Sequence, residues 1–314
     1  MRIRNTCLLA TFVALASLPA LGQSSPVTLD ALRLAIYDYD STLPLNPELK
    51  PLSDKLESQT ALRARWHLAY DSVHDQRVTA IFTIPKKFAA PYPAVVLLAG
   101  SGGHKDTDYV RIASDLMSTL GYATVSIDAQ YHGERSRPDR SGDIHLINSD
   151  AMRDGWIQTV VDLRRAVDYL LSRPDIDAKK IGYLGFSQGG MIGGTFIGVE
   201  PRITAACLAI PGGGFLEWGP KLGLWKETTP AIAANAALTD PVYFIGRFSP
   251  RPLLILSAKR DELIPKFATD ALFSAAKEPK QIVWFDSGHV LPPTALLVNV
   301  KGFFLQNLGK RAER

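Results

Sequence analysis

Ile181-Gly182-Tyr183-Leu184-Gly185-Phe186-Ser187-Gln188-Gly189-Gly190-Met191-Ile192-Gly193-Gly194 decides the reading of this chain. A short apolar run leads into the pattern Gly-x-Ser-x-Gly, and a stretch able to form a helix follows. A motif this short recurs by chance, so the strand before it and the helix after it carry the weight. A Ser on a sharp strand-to-helix turn is forced into strained backbone geometry. Glycine on either side lets the two elements approach. The hydroxyl then stands at the carboxyl edge of a sheet, where open α/β folds bind ligands, and the amide of Gln188 can face a developing oxyanion.

Outward from this point the chain alternates. Short continuous apolar runs at Ala94 to Leu98, Ala123 to Ile127, Ile181 to Leu184, Ile203 to Ile210, Leu253 to Leu256 and Ile282 to Phe285 read as strands buried on both faces of a parallel sheet. Asp108 to Leu120 and Trp156 to Leu171 have helical spacing, the latter ended by Pro174. Arg65 to Tyr70 and Val78 to Ile84 read as an earlier hairpin. The alternation predicts an α/β domain with helices on both faces of the sheet.

The whole chain has 314 residues, 46% hydrophobic and 21% charged, with two Cys and a net charge of +4, which excludes a disordered tail, a collagen-like fibre and a disulfide scaffold. Arg2 and Arg4, the apolar run Cys7 to Ala20 and the small residues around Gly22 predict a cleaved export signal over residues 1–22, hence a periplasmic or secreted protein. That run falls short of the roughly 20 residues that span a bilayer, so stable membrane insertion is not expected. Cleavage removes two positive charges and Cys7. What remains has no basic block of the kind that binds nucleic acid, and Cys207 reads as a buried, inert thiol. Residues 23–61 read as an N-terminal extension with one amphipathic piece from Leu29 to Ile36, and residues 62–314 as one catalytic domain. Residues 211–250, rich in Gly, Pro and Trp, read as a lid-like insertion after the sixth strand.

A hydroxyl becomes a nucleophile when a base takes its proton, and the base needs an orienting acid. Of the six His, His289 follows the last strand and returns to the edge that carries Ser187. Asp261 follows the strand Leu253 to Leu256, with its neighbour Glu262 as an alternative acid and Asp286 as a weaker rival. The second oxyanion donor is expected from Ala99-Gly100-Ser101-Gly102-Gly103, as the amide of Ser101 or of Gly102. Phe215, Trp218 and Trp225 are candidates for the wall of an acyl or alcohol pocket. His132 reads as a structural residue bracing the site, and His67 and His74 as structural or exposed.

These pieces resemble the α/β-hydrolase superfamily, and within it the dienelactone-hydrolase-like and acetyl-esterase-like enzymes, over roughly residues 62 to 308. The resemblance rests on Val95 to Gly103, Asp128 to Arg135, Gly185 to Gly189, Leu253 to Pro265 and Gly288-His289. It implies a mostly parallel eight-stranded sheet and an acyl-enzyme mechanism on carboxylic esters, small or polymer-linked, without metal or organic cofactor. Many relatives carry His-Gly where this chain has Ala99-Gly100. Dienelactone hydrolases proper use Cys where this chain has Ser187, which favours a general carboxylesterase. A thioesterase, a serine peptidase of the same fold, or a hydrolase fold used only as a binding module remain as alternatives, the last disfavoured because all three triad types are present.

Overall fold

Residues of one apolar run point alternately to opposite faces of a strand, and both faces are covered here. In β4 (Tyr92–Leu98), Ala94, Val96 and Leu98 belong to one buried cluster while Val95 and Leu97 belong to a second. The same division holds for Leu253 and Ile255 against Leu254 and Leu256. The structure, a computed structural model, describes residues 28–53, 61–143 and 149–309. The expected export signal over residues 1–22 lies outside the described residues.

The sheet has nine strands: β1 (Glu48–Leu52), β2 (Arg63–Asp71), β3 (Arg77–Pro85), β4, β5 (Ala123–Ile127), β6 (Ile176–Phe186), β7 (Ala205–Ala209), β8 (Leu253–Ala258) and β9 (Lys280–Phe285). Their order across the sheet is β1-β2-β3-β5-β4-β6-β7-β8-β9. β1 to β3 pair antiparallel, β3 joins β5 antiparallel, and the remaining pairs are parallel. The expected eight strands are all present. The ninth, β1, lies in the extension, where Pro51 and charged, exposed residues hide any strand pattern; it forms because backbone groups of Glu48 to Leu52 complete the edge of β2.

One face is covered by α3 (Asp150–Leu171) and α4 (Gln188–Val199), the other by α2 (Asp108–Thr119) and α8 (Lys301–Leu308). The extension supplies α1 (Leu29–Ala35), capped by Thr28. It is fastened to distant parts of the chain: Arg33 Nε donates to the Ala237 carbonyl at 2.7 Å and the Tyr37 hydroxyl to that of Leu238 at 2.7 Å. Tyr37 also meets Phe244 edge-on at 5.4 Å.

The insertion after β7 is largely regular in spite of its Gly and Pro content. It folds into α5 (Phe215–Lys221) and α6 (Pro230–Thr239), followed by short 3₁₀ turns at Pro241–Tyr243 and Ile245–Phe248. Thr229 caps α6 by accepting from the Ile232 amide and Pro230 occupies its first turn, where a missing N–H is harmless. Phe215, Trp218, Trp225, Phe244 and Phe248 of this segment are buried in the core, while Tyr243 is exposed. α7 (Lys266–Ala275) then packs beside β8.

Candidate active site

The turn from β6 into α4 is sharp and closely packed. Ser187 has φ 50° and ψ −118°, a conformation few non-glycine residues adopt. A Cβ on Gly185 would lie 2.3 Å from the Gly189 carbonyl oxygen, and one on Gly189 would lie 2.4 Å from the carbonyl oxygens of Leu98 and Ala99. Two further strained residues follow central strands, Tyr131 (φ 66°) after β5 and Ile210 (φ 47°) after β7. Strain gathered at the carboxyl ends of β5, β6 and β7 marks the functional edge of the sheet.

At that edge the structure brings together the three residues expected from the sequence. His289 Nε2 lies 3.1 Å from Ser187 Oγ, and His289 Nδ1 lies 2.9 Å from each carboxylate oxygen of Asp261. The Asp261 side chain is 1% exposed, and its Oδ1 also accepts from the amides of Leu263 at 2.9 Å and Ile264 at 2.8 Å. These amides fix the carboxylate, which in turn fixes the ring and its tautomer: Nδ1 donates to Asp261, leaving Nε2 to accept from the hydroxyl. Glu262 does not reach the ring. Its Oε2 accepts from the His289 amide at 3.3 Å and so holds the loop. Asp286 pairs with Arg260 on the surface.

The glycine turn after β4 lies against the Ser. A Cβ on Gly100 would sit 3.0 Å from Ser187 Cβ. The two amides proposed there for an oxyanion differ. That of Gly102 donates to Asp143 Oδ1 at 3.1 Å, which takes it away from a substrate oxygen and corrects the expectation for Gly102. That of Ser101 makes no such bond. The Gln188 side chain is buried and its Nε2 donates to the Gly142 carbonyl at 2.8 Å, tying the elbow to the loop around Asp143.

The aromatic candidates are placed differently from expectation. Phe215 is wholly buried, with its ring 5.6 Å from that of Trp156 and 5.8 Å from that of Trp218. The Trp225 ring covers Gly219, where a Cβ would meet it at 1.8 Å. All three are packed into the insertion and the core beneath it rather than presented as a pocket wall.

Two groups near the site escaped sequence reading. Tyr109, on α2, accepts the Gly100 amide at 2.9 Å and stacks edge-on against Phe186 at 5.1 Å. Asp143 joins Ser101, Gly102, Ser141 and His132. The only signal for Asp143 was a carboxylate in the polar, glycine-containing turn Ser141-Gly142-Asp143, which many surface loops share. The hydrogen bond to His132 outweighs burial, which opposes the charge, and with the bonds from Ser101 and Ser141 it holds the Asp143 carboxyl well below the usual carboxylate range. Burial opposes charge on His132, but its bonds to Asp143 and to the Gln130 carbonyl prevail and raise its pKa.

The sign of the stability effect follows. A lowered carboxylate pKa contributes fully above about pH 4 and is lost as pH falls, while a raised imidazole pKa contributes fully below about pH 6.5 and is lost as pH rises through its folded value. Asp143→Asn is therefore expected to lower the thermal midpoint most between about pH 4 and 6.5, with the gap to wild type narrowing on both sides. Calorimetry across that range checks this; a constant gap would contradict it.

Comparison with known proteins places this geometry. The fold is shared with an acetyl xylan esterase from Paenibacillus sp. R4, with a TM-score of 0.72 and 19% identity over 92% of this chain and 97% of that one. The acetyl esterase Axe7A of Xylanibacter ruminicola is 25% identical over 224 residues, 63% of this chain and 49% of that protein. Acyl-coenzyme A thioesterase 3 of Mus musculus is 27% identical over 163 residues, 52% of this chain and 32% of that protein. The matches thus span about a third and about half of these relatives' own length. Among the described residues no helix is long and apolar enough to cross a membrane. Residues 38–215 match a family whose description is acetyl xylan esterase. Since that match runs from β1 to β7 and takes in both the glycine turn and the Ser187 elbow, the chain belongs to the acetyl xylan esterase (AXE1) family.

Proposed function

We propose that this protein is a serine carboxylesterase that cleaves short acyl esters, acetyl esters foremost, through an acyl-enzyme on Ser187. One observation carries the reading: the continuous hydrogen-bonded line from Asp261 through His289 to Ser187 Oγ. His289 Nε2 takes the hydroxyl proton as Ser187 attacks the ester carbonyl, and the imidazolium so formed is held by Asp261. The amides of Gln188 and Ser101 stabilise the oxyanion. His289 then protonates the departing alcohol, and water repeats the sequence to release the acid.

A second reading, thioester hydrolysis, has the match to the mouse thioesterase in its favour. The oxygen ester is preferred because the family match covers the elbow and the oxyanion turn together. A series of p-nitrophenyl esters from acetate to longer chains, run beside acetylated xylan and an acyl thioester, tests the proposal. The expected result is a kcat/KM that is highest for acetate and falls at least tenfold by the octanoate. Faster turnover of the thioester than of its oxygen counterpart would overturn it.

A further inference from the structure

Glycine at positions 100, 102 and 103 lets the turn after β4 approach Ser187, but the same residues leave its backbone poorly restrained. An oxyanion donor must nevertheless be held in place before reaction, since reorienting it during the reaction forfeits its advantage. The restraint comes from Asp143. Its Oδ1 accepts from Ser101 Oγ at 2.5 Å, from the Gly102 amide at 3.1 Å and from His132 Nε2 at 3.0 Å, while Oδ2 accepts from Ser141 Oγ at 2.9 Å. From the opposite side Tyr109 holds the Gly100 amide. Ser101 is thus fixed by its side chain and flanked on both sides by residues whose amides are held.

A carboxylate beside an oxyanion site would oppose the charge that develops there, and the protonation of His132 resolves this. Its Nδ1 faces the Gln130 carbonyl oxygen at 3.0 Å and its Nε2 faces Asp143 at 3.0 Å. A carbonyl and an ionised carboxylate are acceptors only, so both ring nitrogens carry protons and the ring is an imidazolium. Resting on the esterase reading above, we propose that Asp143 is the positioning residue of the oxyanion turn, and that His132, as its imidazolium, cancels the Asp143 charge next to the Ser101 amide.

The surroundings of His132 agree with that charge. Asp128 lies behind it and adds a favourable field, Lys105 and Arg135 are bonded to Asp128, and Glu134 is engaged by Lys105 and His67. As pH rises through the raised pKa of His132 the ring loses a proton, Asp143 is left uncompensated, and kcat should fall for a reason separate from His289.

The test uses the whole protein and p-nitrophenyl acetate, with phenylboronic acid as a transition-state analogue. Asp143→Ala is expected to lower kcat by about 10²-fold, comparable to losing one oxyanion donor, with KM within about threefold of wild type and boronate affinity reduced in parallel with kcat/KM. Asp143→Asn, which keeps the shape but has no charge to cancel, should lose less at neutral pH and show no alkaline decline from His132. Ser101→Ala, which removes one tie, should lie between wild type and Asp143→Ala and decides the matter should the latter fail to fold. Wild-type kcat and boronate affinity in these variants, or an unchanged alkaline limb in Asp143→Asn, would overturn the proposal. Failure of wild type itself to hydrolyse any ester would overturn the esterase reading instead.

Discussion

Replacing Ser187 with Ala is expected to reduce kcat on p-nitrophenyl acetate by about 10⁶-fold, the order found when a triad nucleophile is removed. The His289→Ala variant should fall nearly as far, and the double variant no further, because each group is useless without the other. The protein should stay folded throughout. Among the described residues Ser187 spends its side chain only on His289 at 3.1 Å, and Ala tolerates the same backbone no worse than Ser does. Steady-state rates and a thermal melt on the same preparations settle the point. Substantial turnover by Ser187→Ala would mean that the line of hydrogen bonds through His289 is not the catalytic one.

The largest loss of stability is expected at Asp128. This carboxylate is fully buried at the end of β5 and accepts from Thr79 Oγ1 at 2.7 Å, the Lys105 amide at 2.9 Å, Lys105 Nζ at 2.5 Å and the Glu134 amide at 3.2 Å. It therefore joins β3 to the loops after β4 and β5, the two loops that face the Ser. Asp128→Ala leaves Lys105, itself 7% exposed, and several donors without their acceptor. Breaking such a pair from one side costs about 3–5 kcal/mol. Glu134 Oε1, 2.8 Å from Lys105 Nζ, keeps the loss toward the lower end. A fall in thermal midpoint of roughly 10 °C is expected. Glu134→Ala, at a half-exposed position, should cost no more than about 1 kcal/mol. Equal losses in the two variants would show that Asp128 is not the hub.

The buried strands were legible because a run such as Val95-Val96-Leu97-Leu98, covered on both faces, has no polar alternative to disguise it. Ser187, Asp261 and His289 could be named as candidates because each stands directly beyond such a run, where chain order stands in for geometry. β1 could not be read: an edge strand is formed by its neighbour's free backbone groups, and its exposed side chains carry no pattern. Phe215, Trp218 and Trp225 were misplaced because an aromatic side chain that lines a cavity and one that fills a core look alike until burial is known. Asp143 and Tyr109 were invisible for a further reason. Tyr109 holds the amide of Gly100 and Asp143 that of Gly102, and a backbone amide has no signature in the residue type that carries it.

The clasp between the extension and the insertion has a kinetic consequence. The acceptors of Arg33 and Tyr37 lie 204 and 201 residues further along. As the chain emerges from its start, these two donors have no acceptor until the region after β7 has formed, although the Tyr37 carbonyl and Tyr39 already meet Arg164 and Asp168 of α3. This clasp is thus among the last contacts to settle, and its docking closes the longest loops among the described residues, a slow class of contact. In the interval, Tyr37 and the surface around Phe244 are both uncovered, so a refolding experiment should show this seam protected from hydrogen exchange after the central strands.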